Sequence, residues 1–449
     1  MLSNERLYLE TRPLCLFFKA SIPGAIGMIA SNIYFSLEML LIGRLIGQTA
    51  FAAGNLALPL ILINFALSDM IAVGSAVRIA ISLGEDDKAR ADRVFTTAVI
   101  SAILFAGLTS LLLIVFGRPM LAAMGAEGEL LDESLIYLRT YAAFCPLTCL
   151  VFVFDNYLRI CGRIRFSMVM NIVMSFLCLG FEFIFLYVLD LGIAFAALGT
   201  SLGMSVTAII CAWPFLRGRL SLGFVRLRPS FSIFHDIMAQ GLPSFLSNIS
   251  GKVTSILMNS LLLRWGGDAA VSVYGVFMNI DTIAVSGMYG IFDSLQPAIG
   301  YNWGAQRKDR VRRIALYCTL AIAIMCLAFT LLLVILPGET FSLFLEAGAD
   351  VIDMAVHAVT IMALTYVTRW IGYAVQSFSS AIGFNREATL LSLCNALVFP
   401  LLMMAILQSL ELEGIWYVTP SAAVLTAFVA ALVWILRLRK AVRNREMKV

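Results

Sequence analysis

Histidine occurs only twice in the 449 residues, and charged residues make up 13% of them. His235 and His357 stand far apart near the ends of apolar stretches, so no clustered acid–base set for an integral-membrane acyltransferase or protease is present. Neither GxxxxGK[ST] nor HExxH occurs, which leaves an ATP-driven pump or a metalloprotease without its machinery. The nine cysteines are scattered without a CxxC pair, so neither a disulfide framework nor a zinc site is indicated, and they read as small core residues. The polar start MLSNERLYLETR leads into a long apolar segment without an A-x-A-like site, so the first span itself is expected to direct insertion.

Apolar residues fill the space. Hydrophobic types reach 61% and the mean hydropathy is +0.92, far above that of a soluble domain. Stretches long enough to cross about 30 Å of hydrocarbon lie near 17–43, 54–82, 94–116, 135–158, 166–189, 193–216, 238–263, 270–300, 314–336, 355–381, 388–409 and 414–436. The expectation is an all-α integral membrane protein with twelve transmembrane helices.

The chain also repeats itself. Shifted by 220 positions, Pro23 falls on Pro243, Arg44 on Arg264, Gly47 on Gly267, Gly84 on Gly304, Lys88 on Lys308, Arg90 on Arg310 and Arg93 on Arg313. These are breakers and charges, so the match is not one greasy segment resembling another. Two parallel six-helix repeats follow, an arrangement common in secondary transporters, where the substrate site lies at the repeat interface. The expected division is a lobe over 1–216, a basic linker over 217–237, and a second lobe with a basic tail over 238–449. Pro23 and Pro243 read as helix starters rather than hinges.

Orientation follows from the basic residues. With a cytoplasmic N-terminus, the clusters at Arg6/Arg12/Lys19, Lys88/Arg90/Arg93, Arg159/Arg163/Arg165, Arg217/Arg219/Arg226/Arg228, Arg307 to Arg313 and Arg437 to Lys448 lie inside. Together with Arg386 they hold 25 of the 32 basic residues. Acids mark the opposite loops: Glu127, Glu129, Asp132 and Glu133, then Glu339, Glu346 and Asp350, then Glu411 and Glu413. Both termini are expected in the cytoplasm of a cell (inner) membrane.

Ionisable groups within spans are costly, at least about 2.5–3.5 kcal/mol for Asp, Lys or Arg on insertion scales, and so are functional candidates. The first lobe holds Glu38, Asp69 and Glu182. Their repeat positions carry Met258, Tyr289 and, near a shift of 221, Met403, so these acids break the symmetry. The second lobe holds Lys252 and Arg369 with Asp281 and Asp293, which can neutralise one another as a charge network. Asp155 and Arg159 are spaced as a local pair. At about 1.5 Å per residue, Glu38, Glu182 and Thr200 share one depth, roughly 9–15 Å below the outer surface, with Asp69 deeper. Two carboxylates and a hydroxyl are oxygen ligands suited to Na⁺, or a coupled acid pair able to carry a proton.

Three stretches resemble the multidrug and toxic compound extrusion (MATE) family, bacterial type. They are IPGAIGMIASNIYFSLEMLLIGRLIGQTAFAAGNLALP; GLPSFLSNISGKVTSILMNSLLLRWGGDAAVSVYGV followed by QPAIGYNWGAQRKDRVRR; and YLRICGRIRFSMVMN together with GIWYVTPSAAV. The resemblance implies a V-shaped two-lobe fold whose N-terminal cation site comprises an acid on helix 1, an Asn and an Asp on helix 5, and a Thr on helix 6. These roles fall on Glu38, Cys178, Glu182 and Thr200. Both acids are Glu rather than Asp, and Cys178 is a poor ligand for a hard cation, so H⁺ is the expected coupling ion ahead of Na⁺. Lys252 adjoins the position where some members carry a helix 7 acid, which disfavours a second cation site.

The resemblance further implies a non-enzymatic antiporter that exports small amphipathic, often cationic compounds by alternating access. Its 31 Phe, 20 Met and 13 Tyr could line an adaptable cavity. No cofactor, nucleic acid or obligate protein partner is implied beyond membrane lipid. The alternative is a flippase of lipid-linked oligosaccharides or peptidoglycan precursors, which shares the wider superfamily's fold.

Overall fold

A computed structural model describes residues 6–226, 230–342, 344 and 348–443. Arg228, Glu346, Arg445 and Lys448, which belong to the charge clusters named above, lie outside the described residues. No strand occurs among the described residues. That follows from the setting, because a span in hydrocarbon must satisfy its backbone groups within itself.

The first repeat consists of α1 (Pro13–Leu45), α2 (Gln48–Gly84), α3 (Lys88–Ala123), α4 (Gly128–Ile160), α5 (Ile164–Phe183, ending in a π-helical turn over Ile184–Val188) and α6 (Ile193–Leu216). The linker then leads into α7 (Phe231–Asp293), and α8 (Gln296–Gly304) and α9 (Lys308–Ile335) follow. After the short α10 (Pro337–Ser342) come α11 (Ala349–Ala363), α12 (Thr365–Ala381), α13 (Asn385–Leu393), α14 (Phe399–Leu407), α15 (Glu411–Trp416), α16 (Val418–Val433) and α17 (Arg439–Arg443).

Among the described residues eleven stretches are long and apolar enough to cross a membrane, and one of them, Phe231–Gly304, covers two of the twelve expected spans. Gly267 divides it: its backbone, at φ 63 and ψ −161, is outside helical space. Its repeat partner Gly47 also has positive φ, 128°, between α1 and α2. Glycine suits both positions because it lacks the Cβ that penalises this region.

The other bends repeat as well. Asp86 (φ 61) matches Gln306 (φ 57) at the earlier shift; one position further on, Gly162 (φ 72) matches Gly383 (φ 84), and Asp190 (φ 49) matches Glu411 (φ 54). The internal repeat is therefore a repeat of backbone turns. Pro23 and Pro243, expected as helix starters, instead lie inside α1 and α7. Such interior prolines are tolerated in membrane helices, where neighbours and side chains satisfy the freed groups.

The chain forms two compact units, one of Met1–Thr11 with Ile22–Gly241 and one of Arg12–Ser21 with Leu242–Val449. In the first, buried small and aromatic residues of α2 to α6 form a continuous core that includes Ala53, Ala57, Phe95, Ala98, Ala142, Phe154 and Ala196. Stacked rings at Phe95, Phe154 and Phe215 reinforce it, with centroids 5.4 Å apart in each pair made with Phe215.

Candidate functional site

Glycines on α6 set the local geometry. A Cβ on Gly199 would lie 2.8 Å from the Glu182 nitrogen, and one on Gly203 would lie 2.6 Å from the nitrogen and sulfur of Cys178. With small residues one helical turn apart, α6 can press directly onto α5. This close approach brings Thr200, which follows Gly199, against the Glu182 side chain.

The hydroxyl of Thr200 is the meeting point. It lies 2.9 Å from Glu38 Oε1 and also bonds Glu182 Oε1. Tyr34, one turn before Glu38 on α1, donates to Thr200 Oγ1 at 3.0 Å, and Tyr137 of α4 donates to Glu38 Oε1 at 3.1 Å. Glu38 is 2% exposed and Glu182 0%. Glu182 Oε2 is buried without a hydrogen-bond partner among the described residues.

Proton counting constrains this cluster. Thr200 has one hydrogen to donate, yet two carboxyl oxygens sit at hydrogen-bond range of its oxygen. One contact is satisfied by the threonine proton. The other is a hydrogen bond only when that carboxyl carries a proton to donate.

The remaining sequence candidates fall in different places. Cys178 is buried and its thiol donates to the Thr200 carbonyl at 3.5 Å, so it braces the α5–α6 contact. Asp69 is half-buried on α2. Asp155 pairs with Arg159 at 2.5 Å, as the spacing implies, and also accepts from Ser167 and Asn171.

Of the four charges of the second unit, two form an ion pair among the described residues. Arg369 pairs with Asp281, whose Oδ1 also accepts from the Tyr366 hydroxyl at 2.8 Å. Asp293 accepts from Tyr373 at 3.5 Å. Lys252 is exposed and makes no ion pair among the described residues, in contrast to the expected neutralisation by Asp281 or Asp293. Arg369 has already taken up Asp281. Met258, opposite Glu38 in the repeat, is buried.

Tyr34 and Tyr137 were not singled out by sequence. Tyr34 carries a usable signal, since it lies four residues before Glu38 on the same helical face. Tyr137 arrives from a distant span and carries none.

Known proteins agree with this architecture. A MatE family profile matches the chain twice, over 23–186 and 243–406, the same offset that separates Pro23 from Pro243. The chain therefore belongs to the MatE family and is a multi-pass membrane transporter, not an enzyme. It is similar to the multidrug export protein MepA of Staphylococcus aureus (strain MSSA476), 25% identical over 456 residues, covering 100% of this chain and 99% of that protein. MepA of Staphylococcus saprophyticus is 25% identical over 433 residues, covering 95% of each chain. The fold is shared with an outward-facing multidrug resistance MATE family transporter of the MOP superfamily (TM-score 0.91, 24% identity, 99% of each chain). A MOP superfamily transporter from Pyrococcus furiosus has the same fold (TM-score 0.91, 23% identity, 99% of this chain and 100% of that one).

Proposed function

We propose that the protein is a multidrug efflux antiporter that exports small amphipathic, often cationic compounds in exchange for H⁺. The observation that carries this reading is the buried Glu38–Thr200–Glu182 cluster, in which the second carboxyl contact of Thr200 is a hydrogen bond only when that carboxyl carries a proton. Glu38 Oε1 accepts from both Thr200 and Tyr137, which suits the ionised partner. Glu182, with one oxygen lacking a hydrogen-bond partner among the described residues, suits the protonated one. Similarity to multidrug export proteins over the full chain supports the substrate class.

Alternating access couples the two fluxes when the protonated and deprotonated forms differ in their affinity for drug. Na⁺ is the weaker candidate because Cys178 supplies sulfur where a hard cation needs oxygen. The two lobes of this scheme are 1–216 and 238–449, joined by the linker 217–237. Both termini face the cytoplasm, on the distribution of basic residues. Asp69 is assigned a supporting role, and no cofactor is required.

The test is ethidium transport in proteoliposomes under an imposed pH gradient or an imposed Na⁺ gradient, with Glu38→Gln and Glu182→Gln alongside. Movement driven by the pH gradient and lost in both variants is the expected result. Movement only under a Na⁺ gradient would overturn the proton assignment. No gradient-driven movement of any cationic dye would overturn the drug reading and favour a lipid-linked flippase.

A further inference from the structure

At the end of the first unit that carries the α2–α3 turn, the start of α7 crosses α2. The crossing is tight: a Cβ on Gly74 would lie 2.1 Å from the Ile237 carbonyl, and one on Gly241 would lie 1.8 Å from that of Met70. Beside it lies a cavity of about 290 Å³ lined by Arg78, Arg90, Arg93, Ser230, Ser232 and Asp236 over an apolar floor.

Three guanidinium groups share this space with one carboxylate. Arg78 stands 3.7 Å from Asp236, and Arg90 stands 4.0 Å from Glu85 outside the cavity lining. Both distances exceed the roughly 2.7–2.9 Å of a charge-assisted hydrogen bond. Arg78 Nε is buried with no hydrogen-bond partner among the described residues. The first turn of α7 adds the amide groups of a long helix, a favourable end for an anion.

The second repeat shows the same turn already satisfied. Arg310, the counterpart of Arg90, donates to Asn302 at 3.0 Å. Lys308 and Arg312 donate to the Ala441 and Val442 carbonyls at 3.2 and 3.0 Å. In the first repeat, Arg93 Nε donates to the Ala89 carbonyl at 3.3 Å, and Arg90 and Arg93 border the cavity.

We infer that this cavity is an anion site that takes one phosphate group, as a phosphodiester or a phosphate ion, gripped by Arg78, Arg90 and Arg93 with Ser232. A phospholipid headgroup and a soluble phosphate offer the same chemistry. Phe231, 81% exposed at the start of α7, projects an apolar ring beside the site, as an anchor at a lipid interface does. The site is separate from the Glu38 cluster and its existence does not depend on the coupling ion.

The test uses the purified full-length protein in phosphatidylcholine nanodiscs and reads thermal unfolding. In one arm, part of the phosphatidylcholine is replaced by phosphatidylglycerol; in the other, inorganic phosphate replaces chloride at equal ionic strength. Wild type and the control Arg313→Gln are expected to gain about 2 °C or more in at least one arm. Arg90→Gln/Arg93→Gln, and Arg78→Gln independently, are expected to lose that gain while unfolding normally in phosphatidylcholine alone. A gain confined to phosphatidylglycerol identifies a lipid headgroup, and a gain with phosphate identifies a soluble ligand. No gain in either arm, an equal gain in the cavity variants, or an equal loss in Arg313→Gln overturns the inference.

Discussion

Glu38 and Glu182 each place an Oε1 against one and the same hydroxyl, that of Thr200. Two acids from separate helices are thereby tied to a single hydroxyl. Thr200→Val removes that hydroxyl, taking a partner from Glu182 Oε1 and from Glu38 Oε1, which keeps Tyr137. A loss of about 1–3 kcal/mol of stability is expected, together with loss of transport, whereas Thr200→Ser should restore most of both. Unfolding in detergent and dye efflux measure the two effects; a fully stable Thr200→Val would contradict the bonding scheme.

Proton exchange can be detected without a gradient. If drug binds better to the deprotonated cluster, adding a cationic dye to protein in weakly buffered solution releases protons, and raising the pH tightens dye binding, by reciprocity. The change should vanish in both Glu38→Gln and Glu182→Gln. Proton release of wild-type size in either variant would place the exchange elsewhere.

The α5–α6 contact has little room. Gly203→Ala would bring a methyl group to 2.6 Å from the Cys178 nitrogen and sulfur, and the helices must separate. A cost of about 1–3 kcal/mol is expected from such overpacking, with transport falling in step as Thr200 moves away from Glu182. Cys178→Ser, which keeps a donor for the Thr200 carbonyl, should transport normally. Failure of Cys178→Ser alone would give the sulfur a role beyond bracing.

Asp281 is 9% and Arg369 25% exposed at the side chain. Arg369→Ala leaves the aspartate buried with only Tyr366, and a loss of about 3–5 kcal/mol is expected. The double variant Asp281→Asn/Arg369→Gln should recover much of it. Comparable instability of the single and double variants would show that packing of the arginine stem, and not its charge, is what matters.

Gly47→Ala and Gly267→Ala isolate a backbone effect, because an added Cβ meets nothing within 4 Å at either position. Each should cost about 1–3 kcal/mol from a region of backbone space that is essentially confined to glycine, and the two costs should be similar. Thermal unfolding of the pair checks this, and a neutral result at both sites would refute the positive-φ assignment.

Much of the fold was legible because hydrocarbon permits few solutions. Apolar runs gave the spans, and the breakers gave the repeat. The Gly267 break appears in sequence only as the partner of Gly47, and continuous helical pairing across it joins two expected spans. Glu38 and Glu182 could be found because burying an acid in a span is costly and they lack counterparts in the second repeat, and Thr200 through its shared depth and the family resemblance. Tyr34 was legible only through its spacing of four residues from Glu38, and Tyr137 could be placed only once α4 was packed. The choice of Arg369 over Lys252 as the partner of Asp281 was equally invisible, since both cations lie in spans and only packing decides which one meets the acid.

The paired bends separate two kinds of inheritance. At Asp86 and Gln306, and again at Asp190 and Glu411, different residues share a positive φ. Shape is thus carried by the bends and the helix lengths between them, while the interior side chains are left to diverge. One copy can then give up its acid, with Met258 where the other keeps Glu38, and still serve as a structural match to its twin. A gene duplicated for its architecture need not stay duplicated in its chemistry.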